Sequence, residues 1–245
     1  MADPIALTQR ILTRSKSAAR MTASLIIPAL NEAAVIGDVV ASVPPGLVIE
    51  IVVVDNGSTD GTGEVAARAG ARVVREPRRG YGAACTAGVG ALAGDIDVAA
   101  FLDGDGSQDP RELPRLLGPL ERGEADFVLG TRRIGRHHPL HASLGSRLVA
   151  RLVSWRYGVR LTDVGPFRAL RVALLRRLGM RDLAFGWPAE MVVKATALGA
   201  RIVEVPVSQG PRRGGRSKVS GTLTWSIRAG YSYLAAALRA AREIP

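Results

Sequence analysis

Residues 101–110 read FLDGDGSQDP, and the organisation of the chain follows from this stretch. An apolar run, residues 98–102, leads into Asp103 and Asp105, with Gly104 between them. Side chains two positions apart in a strand point to the same side, so both carboxylates would project together from the end of a strand. Such hard oxygen ligands suit Mg²⁺ or Mn²⁺, which proteins often bind through one or two carboxylates and the phosphates of a substrate. The stretch therefore indicates a metal–diphosphate site.

The same stretch is also typical of a turn. Asp-Gly-Asp-Gly favours turns, and Asp109-Pro110 is a good helix start, with Asp at the N-cap and Pro at the first helical position. We assign Asp109 to that helix start. For Asp103 and Asp105 the turn and the site are equally compatible with these ten residues alone, and the rest of the chain must decide.

The composition indicates one domain with a C-terminal appendage. The chain has 245 residues, of which 47% are hydrophobic, enough for one sizeable core. Its single cysteine, Cys85, excludes an internal disulfide and fits a small core residue in a reducing, cytoplasmic compartment. Apolar runs are too short for a transmembrane helix, and residues 1–22 read as a flexible basic arm without the apolar core of a signal peptide.

Positive charge is concentrated in two regions. The formal net charge is +11, and residues 131–160 hold seven arginines, all three histidines and no acid. Residues 205–240 are likewise basic without an acid. Such regions are either an ordinary solvated surface or a patch for phosphates: a nucleotide, an anionic membrane surface or nucleic acid.

Apolar strands alternate with helical segments through the first half of the chain. This order predicts βαβ units and a mostly parallel sheet, in which ligands bind beyond the carboxyl ends of the strands. The predicted strands are residues 24–27, 48–54, 71–74, 98–102 and 126–130, with a last strand at 201–207.

Four polar clusters follow these strands and should meet at one edge of the sheet. They are residues 28–32, Asp55, the pair Asp103 and Asp105, and Thr131-Arg132. No glycine fingerprint of a dinucleotide site follows the first strand, and Gly80-Tyr81-Gly82 better fits a tight loop. This convergence favours the metal–diphosphate interpretation over a simple turn.

The second half of the chain is mostly helical in pattern. Residues 140–155 have apolar side chains at helical spacing, residues 161–170 begin as a turn and enter a helix to about residue 178, and Glu190 lies in the first turn of another helix. A glycine- and arginine-rich loop, residues 209–220, precedes a basic amphipathic helix, residues 223–241. Each basic helix either lies on an anionic bilayer or packs on the core through one face.

Seven motifs together resemble the family-2 glycosyltransferases, and most closely the branch that glycosylates dolichyl or other polyprenyl phosphates. The motifs stand in the family's order: IPALNE (27–32), VVVDNGSTDGT (52–62), LDGDGSQDP (102–110), LGTR (129–132), TDVGPFRAL (162–170), GWPAEM (186–191) and RSKVSGT (216–222). The resemblance implies a GT-A fold: a Rossmann-like α/β domain, here residues 23–220, with a mostly parallel central sheet and flanking helices. Residues 221–245 would follow as a C-terminal amphipathic helix.

The resemblance also implies roles for individual residues. Asp103 and Asp105 match the family's DxD motif and would hold Mg²⁺ or Mn²⁺ against the diphosphate of a nucleoside-diphosphate sugar, beside Gly104. The remaining donor contacts would come from Pro28, Leu30, Glu32, Asp55, Arg132, Arg216 and Lys218. Of these, Arg216 and Lys218 would close over the diphosphate and stabilise the leaving group.

The identity of the catalytic base stays open between Glu190 and Asp163. Many inverting relatives use an acid to deprotonate a hydroxyl acceptor. A polyprenyl phosphate is already an anionic nucleophile, and Glu190 would then only position the acceptor or the loop. The segment TDVGPFRAL departs from the more usual TDxxSGFRA on the acceptor side, and no C-terminal transmembrane helices follow, so membrane contact would be peripheral, on the cytoplasmic face.

Three hypotheses follow. The first is an inverting, metal-dependent transfer of a hexose from a nucleoside-diphosphate sugar to a polyprenyl phosphate. The second keeps the donor and replaces the acceptor with a soluble or glycan hydroxyl. The third is a basic nucleic-acid or membrane-binding module without catalysis, which accounts for the charge but not for acidic strand ends.

Overall fold

The computed structural model describes residues 21–133, 140–214 and 234–241. The strands are β1 (Ala23–Ala29), β2 (Glu50–Asp55), β3 (Arg72–Arg75), β4 (Val98–Phe101), β5 (Phe127–Arg133), β6 (Arg168–Arg171) and β7 (Ile202–Ser208). The helices are α1 (Ile36–Ala41), α2 (Thr62–Arg68), α3 (Tyr81–Gly90), α4 (Leu113–Glu121), α5 (Leu140–Tyr157), α6 (Val172–Leu178), α7 (Trp187–Ala197) and α8 (234–241), with a 3₁₀ turn, Pro110–Glu112, before α4.

The strands form one seven-stranded sheet in the order β3-β2-β1-β4-β6-β5-β7. Neighbouring strands pair in parallel except at β6, which is antiparallel to both β4 and β5. The carboxyl ends of β1, β2, β4 and β5 therefore lie at one edge, together with the amino end of β6. The predicted α/β fold with a mostly parallel sheet is confirmed.

Hydrophobic side chains cover both faces of the sheet because the central strands are apolar along their whole length. Along β1, Leu25 and Ile27 belong to the layer formed with α1, α2 and α4, whereas Ile26 belongs to the layer on the opposite face, formed with α3, α5 and α7. In α4 the buried leucines recur at helical spacing, at positions 113, 116, 117 and 120. Cys85 is buried in this core as predicted, and burial raises the pKa of its thiol to about 12.

Three local predictions differ from the structure. Strand β6 was expected to be a turn entering a helix, because four residues reading RALR carry no strand periodicity of their own. It forms because Phe101 of β4 and Leu129 of β5 both pair with Arg168. Strand β1 continues through Pro28, and β5 continues to Arg133, so Thr131 and Arg132 lie inside the strand.

Two predictions lie largely outside the described residues. These are the N-terminal arm and the C-terminal amphipathic helix, of which only residues 234–241 are described, as a helix. The domain limits at residues 23 and 220 therefore stay predictions. Within the described part of the chain, no helix has the length and apolarity needed to cross a bilayer.

Candidate functional site

The loops after β1 and β2 are joined by side-chain hydrogen bonds at the carboxyl edge of the sheet. Asn31 takes a left-handed backbone conformation (φ 52°), which Asn tolerates, and its N–H donates to Ser58 Oγ at 3.0 Å. The N–H of Glu32 donates to Thr62 Oγ1 at 2.8 Å, and the N–H of Ser58 donates to Asp55 Oδ1 at 2.8 Å. Pro28 and Leu30 flank the end of β1 here, so four of the predicted donor residues come from two adjacent strand ends.

The loop after β4 is both a turn and a carboxylate site. The N–H of Ser107 donates to Asp105 Oδ1 at 2.9 Å, and the N–H of Asp103 donates to Gln108 Oε1 at 3.2 Å. A Cβ on Gly104 would lie 3.3 Å from the Pro28 carbonyl oxygen, so the loop packs closely on the end of β1. The turn chemistry thus holds the two aspartates at the same edge as Glu32 and Asp55.

A buried arginine lies behind Asp103. Arg168, the first residue of β6, has a fully buried side chain among aromatic rings, with its guanidinium carbon 5.3 Å from the Phe101 ring centroid and 5.1 Å from that of Trp187. It donates to the Tyr81 hydroxyl at 2.9 Å, and that hydroxyl donates to Asp103 Oδ1 at 3.3 Å. Arg168 and Tyr81 therefore position Asp103 from inside the core.

This support does not fully offset the negative charge of the loop. Burial and the neighbouring Asp105 charge raise the pKa of Asp103 to about 7, while Arg168 and the Tyr81 hydrogen bond lower it. Additional positive charge at this point would stabilise the ionised pair. Among the described residues, no group of three or more His, Cys, Asp or Glu side chains is placed to hold a metal ion.

Arg212, in the loop after β7, bridges two of the site's acids. Its Nη1 lies 2.9 Å from Asp105 Oδ2 and its Nη2 lies 2.5 Å from Glu32 Oε1. The backbone follows the same path, because the Arg213 N–H donates to the Asp105 carbonyl at 3.1 Å. The described part of the basic loop therefore reaches the carboxylates of Asp105 and Glu32; its later residues Arg216 and Lys218, predicted to close over the diphosphate, lie outside the described residues.

Arg132 and Asp163 form a two-point ion pair. Arg132 Nε donates to Asp163 Oδ2 at 2.7 Å, and Nη2 donates to Oδ1 at 2.6 Å, with both side chains largely buried. The Asp163 N–H in turn donates to Glu204 Oε1 at 3.1 Å. The predicted phosphate contact and one of the two base candidates are thus brought together and neutralise each other.

Glu190, the other base candidate, is only 4% exposed and fully engaged by neighbouring donors. Its carboxylate accepts the N–H groups of Arg181 and Asp182 and the ammonium of Lys194, at 2.7–3.1 Å. Lys194 also donates to the Gly179 carbonyl at 2.9 Å. Glu190 and Lys194 therefore attach residues 179–182 to α7. Glu190 also borders a cleft of about 410 Å³, which α8 lines on one side.

Three contributors were missed at the level of sequence: Arg212, Arg168 and Tyr81. Arg212 belongs to the basic loop, where nothing distinguishes one arginine from the next. Arg168 could have been found more easily than Arg212, because it stands between Phe167 and Ala169-Leu170. A charged residue is unusual within such an apolar segment. Tyr81 stands between two glycines and was interpreted only as part of a loop.

Comparisons with known proteins identify the family of this chain. The profile described as "Glycosyl transferase family 2" matches residues 24–179. An uncharacterized glycosyltransferase of Mycobacterium bovis is 45% identical over 83% of this chain and 92% of its own length. An undecaprenyl-phosphate mannosyltransferase of Micrococcus luteus is 33% identical over 70% of this chain and 76% of its own length.

A solved structure shares the fold. Glucosyl-3-phosphoglycerate synthase from Mycobacterium tuberculosis, in complex with Mn²⁺, uridine diphosphate and glucosyl-3-phosphoglycerate, superposes with a TM-score of 0.75 and 28% identity. The match covers 93% of this chain and 82% of the synthase. The family match spans well over half of the chain and includes the carboxylates at the strand ends, so the protein belongs to glycosyl transferase family 2 and is a glycosyltransferase.

Proposed function

We propose that this glycosyltransferase moves a hexose, with inversion, from a nucleoside-diphosphate sugar to a polyprenyl phosphate. The observation that carries the donor half is the convergence of Asp103, Asp105, Glu32 and Asp55 at one sheet edge, with Arg212 crossing it. In this proposal Glu32 and Asp55, with Pro28 and Leu30, line the pocket for the base and ribose. Gly104 packs closely on the end of β1 and so holds the loop with its two aspartates beside the diphosphate.

Asp103 and Asp105 would hold Mg²⁺ or Mn²⁺ in this proposal. The fit rests on their hard oxygen donors and on the raised pKa of Asp103, which marks a deficit of positive charge at this point. When bound, the cation supplies charge stabilisation to the departing nucleoside diphosphate. Arg212, with Arg216 and Lys218 from the same loop, adds cationic groups on the other side of that diphosphate.

The state of the two base candidates favours a phosphate acceptor. A phosphate oxygen attacks the anomeric carbon, the bond from that carbon to the diphosphate breaks, and no proton has to be removed from the nucleophile. Asp163 is neutralised by Arg132, and Glu190 accepts hydrogen bonds from three donors, so both carboxylates serve positioning roles in this proposal. The similarity to the mannosyltransferase of Micrococcus luteus supports the same acceptor class. Such an acceptor places the enzyme at the cytoplasmic face of a membrane.

A second candidate acceptor is a small soluble molecule with a hydroxyl group. Its specific support is the likeness to the synthase whose complex contains glucosyl-3-phosphoglycerate. This candidate requires a base, so Glu190 or Asp163 would have to leave its present partners when the acceptor binds. If Glu190 is that base, Glu190→Gln should abolish transfer to the hydroxyl while reducing transfer to a phosphate much less.

The direct test is a transfer assay with a panel of radiolabelled nucleotide sugars and two acceptors, a short-chain polyprenyl phosphate and 3-phosphoglycerate. We expect labelled, organic-extractable product that requires a divalent cation, and a loss of at least about a hundredfold in Asp105→Asn. Asp109→Asn is the matched control, because Asp109 caps the 3₁₀ turn through the Arg111 N–H and Asn caps equally well. Activity that survives in Asp105→Asn or after chelation would contradict the donor mechanism; product only on 3-phosphoglycerate would contradict the lipid acceptor.

A further inference from the structure

Helix α5 carries apolar side chains on two opposite faces. Val149, Ala150 and Val153 are buried in the core beside α7. Leu148, Leu152 and Trp155, which we call the α5 stripe, are 48%, 38% and 83% exposed. The sequence pattern predicted a helix with these apolar positions, and the structure shows that they face away from the core.

The α5 stripe has arginines along both sides. At about 100° per residue, its three side chains fall within an arc of about 60°. Arg147 and Arg151 follow one side of that arc and Arg156 follows the other, and all three are exposed. The result is an apolar strip between two cationic rims on the solvent side of a packed helix.

Both features of this surface are unusual within the chain. The other large apolar side chains exposed in the described residues, Ile49, Leu183, Leu198 and Leu238, each belong to a different loop or helix. The sequence from residue 131 to 160 contains no acid, so nothing in this segment neutralises the arginine rims. A partner that covers the stripe must therefore be apolar at its centre and anionic around it.

We infer that the α5 stripe docks the enzyme on an anionic lipid bilayer. Trp and Leu favour the boundary between headgroups and acyl chains, and flanking arginines bind anionic headgroups. A second copy of this chain fits the surface poorly, because a two-fold contact through the stripe would place arginine rims against each other. The role of this docking in catalysis rests on the proposed lipid acceptor, whereas the affinity of the α5 stripe for a bilayer rests on its own side chains.

The position of the stripe relative to the site supports this assignment. Ser154, next to Trp155, accepts the N–H of Leu161 at 3.0 Å and donates to the Leu161 carbonyl at 3.2 Å. Two residues beyond Leu161, Asp163 pairs with Arg132 at the end of the sheet that carries the aspartates. The segment between the stripe and the site is therefore short, and a bilayer on α5 would lie close to the acceptor side.

Vesicle flotation of the full chain tests the inference. Wild-type protein should float with vesicles of equal parts phosphatidylcholine and phosphatidylglycerol, and not with phosphatidylcholine alone. Leu152→Gln/Trp155→Gln should weaken binding by roughly a hundredfold, since each lost apolar contact costs about tenfold. Arg147→Gln/Arg151→Gln should weaken it by about fivefold per arginine, an effect that added salt removes.

Matched controls remove the same chemistry elsewhere on the surface. Leu198→Gln replaces an exposed leucine at the end of α7, and Arg176→Gln/Arg177→Gln removes two exposed charges from α6. Both controls should bind vesicles as the wild type does. Equal binding by the stripe variant, binding to neutral vesicles alone, or loss of a wild-type dimer in the stripe variant by analytical ultracentrifugation would overturn the inference.

Failure of the inference is distinguishable from failure of the proposed function. The stripe variant should keep wild-type turnover with a short-chain, water-soluble polyprenyl phosphate and lose it selectively with the long-chain acceptor in vesicles. If vesicle binding depends on the stripe while no polyprenyl phosphate is glycosylated, the docking surface stands and the proposed acceptor is wrong. If the short-chain polyprenyl phosphate is glycosylated but flotation does not depend on the α5 stripe, the proposed acceptor stands and the docking surface is wrong.

Discussion

At the scale of one residue, the ionised carboxylate of Asp103 lowers the stability of the metal-free protein, because it is buried beside a second carboxylate. It is held by the Tyr81 hydroxyl, and behind that by the guanidinium of Arg168 within a set of aromatic rings. Burying an arginine is unfavourable unless its charge is compensated, and here the compensation comes from the carboxylate and the ring faces. The ionised Asp103 nonetheless stays under-compensated, as its raised pKa indicates.

A pH-dependent cost of stability follows for the metal-free protein. The pKa of Asp103 is about 7 in the folded state and about 3.9 when unfolded, so between these values only the folded protein keeps the proton. Stability therefore falls as the pH rises through this window. Asp103→Asn should raise the free energy of unfolding by on the order of 2 kcal/mol near pH 8, and hardly at all near pH 4, while abolishing transfer.

Urea denaturation in the presence of a chelator measures this effect at both pH values. A decrease in stability for Asp103→Asn near pH 8 would contradict the assigned cause. Adding Mn²⁺ with a nucleotide sugar should increase the stability of the wild type by more than that of the variant, because only the wild type retains both carboxylates for that ligand.

Asp126 should show the opposite sign. Its hydrogen bonds from the Arg201 guanidinium, at 2.8 and 3.0 Å, lower its pKa to about 2. Its stabilisation is therefore fully present above the unfolded pKa of about 4 and is lost as the pH falls through about 2. Asp126→Asn should be less stable than the wild type from pH 8 down to about pH 5, with the difference vanishing in stronger acid. A difference that persists undiminished at about pH 2 in thermal unfolding would show that the loss is not electrostatic.

At the scale of elements, α3 is held against the residues before α7 by backbone contacts that only glycine permits. The Gly82 N–H donates to the Ala184 carbonyl at 3.0 Å, and a Cβ on Gly82 would lie 2.1 Å from the Asp182 carbonyl oxygen. A Cβ on Gly80 would meet the Leu183 carbonyl oxygen at 2.2 Å. This close approach places Tyr81 against Arg168, so the two glycines connect helix packing to the position of Asp103.

Alanine at two glycines of α3 should therefore have opposite effects. Gly82→Ala should destabilise the protein by about 1–3 kcal/mol, because the backbones must separate. Gly90→Ala, in the last turn of the same helix, has open space around it and should stabilise by up to about 1 kcal/mol. Urea denaturation of both variants checks the prediction, and equal effects at the two positions would contradict the packing argument.

At the scale of the whole molecule, the described residues form one sheet with a hydrophobic layer on each face, and neither layer can persist without the sheet. Trp187 reports on one layer, next to Phe101 at a ring-centroid distance of 5.1 Å. We predict a single cooperative unfolding transition for the chain. With Trp155 and Trp225 replaced by Phe, fluorescence of Trp187 should coincide with far-UV circular dichroism, and the calorimetric and van't Hoff enthalpies should agree. An earlier second transition would show that part of the chain forms an independent unit.

The sequence alone determined the α/β architecture and the edge of the sheet at which the polar strand ends meet. Apolar strands buried on both faces can only be covered by helices on both sides, and the chain order then fixes which strand ends share an edge. Asp55, Asp103 and Asp105 were therefore predictable as neighbours without coordinates. The convergence followed from topology and did not depend on any side-chain conformation.

Only the tertiary structure decided how those groups are partnered. Strand β6 exists because two neighbouring strands offer it hydrogen bonds, not because RALR favours a strand. Arg168 and Arg212 acquire their partners across distances in sequence that no local pattern reports, and Glu190 accepts the N–H groups of Arg181 and Asp182 besides Lys194, its neighbour one helical turn on. The orientation of α5 was also decided by tertiary packing. Helical periodicity locates its apolar positions, but they lie on two faces, and only one of these faces packs on the core. The α5 stripe is the face that stays exposed.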